Sequence, residues 1–420
     1  MTSLVLLLLM VLALLGLPLF VTIAAAALWL FHADGLDLQI LAIEMNRLAS
    51  MPVLVAMPLF TFAGTLLAEG QTPRRIIDVA RAMVGRRRGG VSLVALVTCG
   101  VFTAATGASG VTIVALGGLL FALLRGAGYS DRFTVGLLTT GGSYGLLFPP
   151  SLPVILYAVV AQIPIQELYN AAFLPGLLMV TLLAITALFM SRKPESVVEL
   201  EPPPSLGVAL RESIFEWPLP LIVMVGIYLG WLTVVEAATL TVTWVLVVQV
   251  LIRREVGILS GHLLRVARES LAVVGATLLI LAVSQGLTNY LIDAQIPDRL
   301  FAWLQPVLQD RFTFLLALNG FLLVVGCMMD IFSATVVVVP LLLPLAARYQ
   351  VDPLHLGVIF LANLEMGYVT PPVGLNLFLA SMRFRRSMWE LYRATLPFLL
   401  VMVVATLLIT WLPELALWWK

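Results

Sequence analysis

Long apolar runs, separated by short polar or charged intervals, set the pattern of this chain. The first run extends from Leu4 to Phe31 without a charged residue. As helix it would measure about 42 Å at roughly 1.5 Å per residue, more than the ~30 Å hydrocarbon core of a bilayer. The pattern therefore predicts a tilted or bent membrane span, with the bend near Gly16 and Pro18.

Two later runs are interrupted at their middle by small polar residues. In residues 91–124 the interruption lies between Thr103 and Thr112, and in residues 312–347 it lies between Gly326 and Thr335. Basic residues flank the first run on both sides, as expected of a segment that enters and leaves on the cytoplasmic face. Around the second run the charges nearly cancel, as expected externally. These runs predict two re-entrant helical hairpins that enter from opposite faces.

Each hairpin is followed by an apolar run that contains a Gly-x-x-x-Pro-Pro break. The breaks begin at Gly145, in residues 133–161, and at Gly367, in residues 354–380. Each proline lacks an N–H, and an unpaired peptide group in hydrocarbon costs several kcal/mol. Such breaks are expected only where protein, water or an ion can satisfy the backbone. The runs therefore predict two broken transmembrane helices, with a constant offset of 222 positions (367 − 145).

The order of these features predicts an all-α integral membrane protein with two inverted-topology repeats. Residues 1–190 form the first repeat, with scaffold spans, the hairpin 91–124 and the broken helix 133–161. The charged, proline-rich residues 191–216 form a cytoplasmic linker. Residues 217–420 form the second repeat and end with a span near 396–412. Hairpins and broken helices in inverted repeats are typical of secondary transporters, whose binding site lies at the midplane.

The composition agrees with this class. The chain has 420 residues, of which 61% are hydrophobic and only 11% charged, and its mean hydropathy is +1.06. A formal net charge of +1 gives no reason to expect nucleic acid as a partner. Arginine clusters in 74–88, 253–268 and 383–393 predict three cytoplasmic connections. If 4–31 and 51–67 each cross once, the N-terminus is cytoplasmic, whereas a further crossing within 32–50 would reverse this.

Signatures of other chemistry are missing from the sequence. The chain has no Walker A or HExxH motif, so an ATPase and an intramembrane metalloprotease are disfavoured. Residues 141–145, Gly-Gly-Ser-Tyr-Gly, match the letters of GxSxG, but they lie in a long apolar run and not at the strand-to-helix turn of a nucleophile elbow, so a serine hydrolase is also disfavoured. Cys99 and Cys327 stand 228 positions apart (327 − 99), and the histidines are scattered singly. We therefore predict no enzyme, no transition-metal site and no organic cofactor.

The hairpin tips and helix breaks are the candidate functional sites. Their carbonyl and hydroxyl oxygens suit a small cation such as Na⁺, and the helix N-termini beside them suit a carboxylate. Close helix packing and hydroxyl groups bonded to their own helices are the structural alternative. The predicted cation ligands are Thr106, Gly107, Ser109, Ser143 and Gly145 in the first repeat and Asp330, Ser333, Asn363, Gly367 and Thr370 in the second, and the predicted substrate contacts are Ser109, Thr112, Thr335 and Asn376.

Two carboxylates stand close to the second site in sequence. Asp330 lies in the hairpin interruption and Glu365 lies just before the break. Acidic side chains are costly inside a membrane, which favours a role as a cation ligand or proton acceptor. A partly hydrated hairpin mouth or a local hydrogen bond would also explain them.

These segments resemble the large membrane subunit (M subunit) of tripartite ATP-independent periplasmic (TRAP) transporters. The resemblance covers essentially the whole chain and is strongest in 103–118, 141–157, 325–344 and 363–381, where Thr-Pro-Pro-Val-Gly-Leu-Asn (370–376) resembles the family signature. The first tip reads Gly107-Ala-Ser109-Gly110, one hydroxyl fewer than the family's common Gly-Ser-Ser.

The resemblance implies an Na⁺-coupled elevator that imports an organic acid across the bacterial inner membrane. It also implies two partners, a small four-span membrane subunit and a periplasmic substrate-binding protein. A self-sufficient carrier of the divalent-anion sodium symporter type and a proton-coupled carrier remain alternatives. A channel lacks support, because no continuous polar stripe is present.

Overall fold

The computed structural model describes residues 2–14, 17, 19–84, 89–190, 204–257, 261–295, 299, 302 and 308–420. Throughout these residues the regular structure is helical and contains no strand. Eight of the described helices are long and apolar enough to cross a membrane, or nine if the bent pair in 131–161 is one span. The all-α integral membrane class is therefore confirmed.

The first apolar run forms two helices, Thr2–Leu14 and Leu19–Ala33. The bend predicted near Gly16 and Pro18 lies outside the described residues. A short helix, Gln39–Ala49, follows, and a 3₁₀ turn at Pro52–Val55 leads into the helix Ala56–Glu69. Next comes Thr72–Val84, whose apolar and basic positions lie on opposite faces, as expected of a helix in the membrane interface.

The first hairpin consists of Gly90–Thr106 and Ser109–Gly126. Its two limbs can reverse direction within two residues because Gly107 adopts φ +70°, a conformation that favours glycine. A Cβ at Gly107 would also lie 2.9 Å from Cγ of Leu152. The prediction of a hairpin over 91–124 is therefore accurate to within a few residues.

The first broken helix consists of Asp131–Thr140, the 3₁₀ turn Ser143–Leu147 and Leu152–Ala161. The two parts are bent by 43°, and the Pro149–Pro150 peptide between them is cis. The helix Ile165–Met190 follows. The break therefore lies at the Gly-x-x-x-Pro-Pro motif.

The second repeat reproduces these elements at a constant offset. The hairpin limb Ile331–Arg348 begins and ends 222 positions after Ser109–Gly126 (331 − 109 and 348 − 126). A second cis peptide joins Pro371 and Pro372. The helices of this repeat are Pro218–Tyr228, Val234–Leu246 with a π-helical continuation to Ile252, His262–Asp293, the hairpin Arg311–Met328 and Ile331–Arg348, the broken helix Pro353–Gly367 and Leu375–Phe384, Met388–Trp411 and Pro413–Ala416.

Two segments differ from the sequence-based expectations. Residues 191–203 of the predicted linker lie outside the described residues, and 204–216 contain a short helix, Leu206–Glu212, packed on Thr72–Val84. The last span begins at Met388, not near 396. Ser387 and Glu390 form a reciprocal capping box there, which starts the helix two turns early.

The two repeats pack against each other at their broken helices. Leu375–Phe384 of the second repeat packs on Ser109–Gly126 of the first, and Ile331–Arg348 packs on Leu152–Ala161. Hairpin limbs of each repeat therefore contact the broken helix of the other. This arrangement brings the two hairpin tips to one place.

Candidate functional site

Both hairpin tips line one cavity of about 570 Å³. Ser109 and Gly110 line it from the first tip, and Ile331 and Phe332 line it from the second tip. Tyr368 lines it from the second break. The helix Ala56–Glu69 closes one side. The remaining lining residues are Thr65, Ala68, Glu69, Gly107, Ala108, Val111, Val114, Ala115, Leu146, Pro153, Leu375 and Leu379.

A buried amide connects the two repeats beside this cavity. Ser109 Oγ donates to Asn376 Oδ1 at 3.0 Å, and Asn376 Nδ2 donates to Ser143 Oγ at 3.0 Å. The amide therefore fixes the first tip and the first break relative to the second broken helix. All three side chains are buried, so the loss of one partner would leave an unsatisfied polar group.

Further hydroxyl groups surround this network. Thr103 Oγ1 lies 2.6 Å from Thr112 Oγ1, across the two limbs of the first hairpin. A Cβ at Gly145 would lie 2.6 Å from both Gly100 O and Thr103 Cβ, so the first break approaches the hairpin backbone directly. The predicted residues Ser109, Thr112, Ser143 and Gly145 are therefore brought together, and Asn376 joins them from the second repeat.

The helix Ser109–Gly126 starts without a side-chain cap. Its N-cap residue is Ala108, which has no side-chain oxygen to accept from the first-turn N–H groups. These N–H groups, at Ser109, Gly110 and Val111, belong to residues that line the cavity. An uncapped helix N-terminus combines free donors with the positive end of the helix dipole. This end of the cavity is therefore suited to an anion.

The helix Ile331–Arg348 starts differently, because side chains satisfy its N-terminus. Asp330 Oδ1 accepts from Phe332 N and Ser333 N at 3.0 Å each, and Asp330 Oδ2 accepts from Ser333 Oγ at 2.6 Å. Ile331 N donates to the Tyr368 hydroxyl at 2.8 Å. Asp330 and Ser333 thus form a local capping arrangement, in agreement with the structural alternative for these residues.

The remaining predicted residues are more dispersed. The hydroxyl groups of Thr106, Thr335 and Thr370 each donate to a carbonyl four residues earlier, at 2.9, 2.6 and 2.8 Å. Asn363 Nδ2 donates to Asn319 Oδ1 at 2.8 Å, and Thr410 Oγ1 donates to the same oxygen at 3.1 Å. Asn363 therefore faces the second hairpin's first limb and the last span.

The second break approaches its own hairpin as the first break does. A Cβ at Gly367 would be in hard contact with the backbone of Gly326 and Cys327.

Glu365, two residues before Gly367, is fully buried, and neither of its carboxylate oxygens has a hydrogen-bond partner. Within the described residues no group of three or more His, Cys, Asp or Glu side chains could hold a metal ion.

Sequence reasoning missed several residues of this region. Thr103 and Thr112 face each other, yet only Thr112 was predicted as a contact. Asn319 was also missed, although an amide side chain within an apolar hairpin limb indicates a buried polar contact. Thr410 could not be anticipated, because its partner lies 91 positions away. The cation-binding and substrate-binding roles of the predicted residues stay predictions.

The family model described as "Tripartite ATP-independent periplasmic transporter, DctM component" matches residues 6–415. The C4-dicarboxylate TRAP transporter large permease protein DctM of Rhodobacter capsulatus is 31% identical, over 98% of this chain and 96% of that protein. Its namesake from Pseudomonas aeruginosa is 30% identical, over 94% and 91%. The Alcanivorax borkumensis YdaH transporter has a similar fold, with a TM-score of 0.64 at 15% identity, over 90% of this chain and 88% of that one.

Proposed function

Because the chain belongs to the DctM family, the large permease component of tripartite ATP-independent periplasmic transporters, we propose that it imports a small organic acid by an Na⁺-coupled elevator mechanism. The chain is a multi-pass protein of the bacterial inner membrane and a permease subunit, not an enzyme. C4-dicarboxylates are the first substrates to test, because two relatives are named for them.

The observation that carries the proposal is the uncapped helix at the shared cavity. The N–H groups at Ser109, Gly110 and Val111 lie at a cavity of about 570 Å³, within the usual size range of small-molecule pockets. A carboxylate there would receive hydrogen bonds and the helix dipole together. No arginine is needed for this mode of binding.

Two oxygen clusters support binding of the coupling ion. The first consists of the hydroxyl groups of Ser109 and Ser143 and the amide of Asn376. We propose that these groups give up part of their hydrogen bonding to one another when their oxygens bind Na⁺. The second is formed around Asp330, whose carboxylate lies beside Ser333. Hydroxyl, amide and carboxylate oxygens are hard ligands suited to Na⁺.

The course of the cavity supports an inward-open state. Its walls continue from the tips along Val114 and Ala115 towards Arg125, and along Leu379 towards Arg383. Both arginines lie at ends that the positive-inside rule places in the cytoplasm. We propose that 90–161 and 311–384 move together as the transport domain, while the other spans form the scaffold.

Two partners complete the proposed transporter. A small membrane subunit would cover the apolar scaffold surface near Trp231, which is 74% exposed, and a periplasmic binding protein would deliver the substrate. Both follow from the tripartite family. The substrate-binding protein would account for much of the substrate selectivity.

Reconstitution with both partners tests the proposal. Uptake of a radiolabelled C4-dicarboxylate should require the binding protein and an inward Na⁺ gradient. Uptake by this chain alone would instead indicate a self-sufficient carrier. Uptake driven by a pH gradient and insensitive to Na⁺ would overturn the assignment of the coupling ion.

A further inference from the structure

A second cavity of about 230 Å³ lies between the first hairpin and the scaffold helices. Val97 and Val101 of the hairpin form one wall, and Val223, Trp244 and Val245 of the scaffold form another. Apart from a few polar residues, the lining is apolar. Because a cavity of about 150 Å³ can accommodate benzene, this cavity has room for part of a hydrocarbon chain.

The polar residues of the lining include two buried acceptors that lack donors. Glu216 Oε1 accepts from Arg75 Nη1 at 2.7 Å, but Glu216 Oε2 is buried without a partner. Gln249 Nε2 donates to Thr72 Oγ1 at 2.7 Å, but Gln249 Oε1 is also buried without a partner. Buried acceptors of this kind are costly unless a donor reaches them. The cavity therefore combines apolar walls with a need for a hydrogen-bond donor.

The carboxylates at this end of the cavity outnumber the arginine that pairs with them. Arg75 forms ion pairs with both Glu216 and Glu255, so two carboxylates share one guanidinium group. Burial acts to lower the pKa of Arg75, but the hydrogen bonds that Arg75 donates to Glu255 and Glu216 outweigh it, so the pKa is raised and Arg75 stays charged. Within this trio one negative charge is left over. A cationic donor would meet both requirements.

A neighbouring arginine can complement a phosphate group. The guanidinium carbon of Arg253 lies 5.4 Å from the ring centre of Phe215, which lines the cavity. Its Nη2 donates to Glu212 O, whereas its Nε is buried without an acceptor. An ammonium group and a phosphate group on one ligand would therefore suit this region.

We propose that this cavity is a phosphatidylethanolamine site, with an acyl chain between the hairpin and scaffold and the ammonium group at Glu216 and Gln249. Phosphatidylcholine carries no N–H donor, and an anionic lipid without an ammonium group would supply no cation to the carboxylate of Glu216. The site lies where the proposed transport domain meets the scaffold. The bound lipid would fill the gap between these two parts without direct bonds that resist sliding.

Photocrosslinking in nanodiscs tests this site. The full chain is reconstituted in phosphatidylcholine with a small fraction of either phosphatidylethanolamine or phosphatidylcholine that carries a diazirine in the acyl chain. Peptides covering 218–249 are then quantified by mass spectrometry. We expect about tenfold more labelling by the ethanolamine lipid, from one charge-assisted hydrogen bond. Equal labelling by the two lipids would refute the proposal.

Two pairs of variants locate the lipid. Val223→Phe should fill the cavity and reduce labelling several-fold, whereas Val225→Phe, on the same helix but 45% exposed, should leave it unchanged. Glu216→Gln removes the surplus charge and should bring the ethanolamine-to-choline ratio close to one, while the exposed Glu212→Gln should not. Unchanged labelling in Val223→Phe would show that the lipid binds elsewhere. If Val223→Phe does not fold, the Glu216→Gln ratio decides alone.

Discussion

The two hairpin tips have extended N-cap residues at equivalent positions but opposite electrostatics. Position 108 and position 330 are related by the repeat offset of 222 (330 − 108), and each is the N-cap of its hairpin's second limb. Alanine at 108 leaves the first helix N-terminus open to the cavity, whereas aspartate at 330 occupies the second with its own carboxylate. The residue at this one position therefore decides whether the helix N-terminus is capped by its own chain or left without a side-chain cap at the cavity.

The broken helices differ in a related way. Ser143 and Glu365 occupy equivalent positions (365 − 143 is again 222). Ser143 is neutral and hydrogen-bonded to Asn376, whereas Glu365 is a buried acid without a hydrogen-bond partner in the described structure. At this pair of positions the first repeat therefore has a neutral hydroxyl group and the second has an acid. The two sites thus share an order of elements and differ in charge.

The shared geometry is tested by Gly367→Ala, for which we expect the largest effect. The new Cβ would be in hard contact with backbone atoms of Gly326, and backbone cannot rotate away as a side chain can. We expect a loss of about 3 kcal/mol of stability and no measurable uptake. Thermal unfolding in detergent and transport assays measure these effects.

The matched control is Gly320→Ala in the hairpin limb Arg311–Met328, which also contains Gly326; a Cβ at Gly320 meets no atom within 4 Å. It should leave both the unfolding midpoint and uptake near wild type. Equal behaviour of the two alanine variants would show that the break does not depend on this close approach.

The connection between the repeats is tested by Asn376→Leu. The variant leaves Ser109 and Ser143 as buried hydroxyl groups without this partner, at a cost of about 2 kcal/mol. Uptake should fall by more than tenfold, because the first tip loses its link to the second broken helix. The exposed Asn46→Leu serves as control. Wild-type uptake by Asn376→Leu would argue against a functional role of the network.

The sequence allowed the architecture to be predicted closely, for a physical reason. In a membrane, glycine, proline and polar residues within apolar runs have few permitted explanations. The hairpin at 91–124 was therefore located to within two residues of Gly90–Gly126, and the breaks were located at their Pro-Pro motifs.

The site was less predictable, because its contacts join distant parts of the chain. Asn376 was assigned to substrate, yet it bonds Ser109 and Ser143, which lie 267 and 233 positions away. Local patterns also cannot distinguish a capping carboxylate from a free one. Asp330 was identified as functional because acids are rare in membranes, whereas the structure also gives it a local capping role.

The difference between the tips is tested directly by Ala108→Asp, which gives the first tip the aspartate of the second. Ala108 has the extended backbone of an N-cap residue, so the new carboxylate should cap Ser109–Gly126 and add about 1 kcal/mol of stability. It would also occupy the proposed anion site, so substrate affinity should fall about tenfold or more. Thermal unfolding and uptake kinetics measure the two effects in opposite directions.

Ala108→Asn separates capping from charge. Asparagine caps a helix about as well as aspartate but carries no charge, so it should stabilise the protein with a smaller loss of affinity. If Ala108→Asp retains wild-type substrate affinity, the anion does not bind at this N-terminus.

The smallest structural effect is expected for Asp330→Asn at the second tip. Asparagine can accept from Phe332 N and Ser333 N as Asp330 does, so the unfolding midpoint should change by no more than the equivalent of about 0.5 kcal/mol. If the charge of Asp330 also helps to bind Na⁺, the Na⁺ concentration for half-maximal uptake should rise about tenfold. Asp310→Asn, which removes a carboxylate from an exposed N-cap at the other end of the same hairpin, controls for loss of charge alone. Unchanged Na⁺ dependence in Asp330→Asn would restrict Asp330 to capping and leave Glu365 as the acid to examine next.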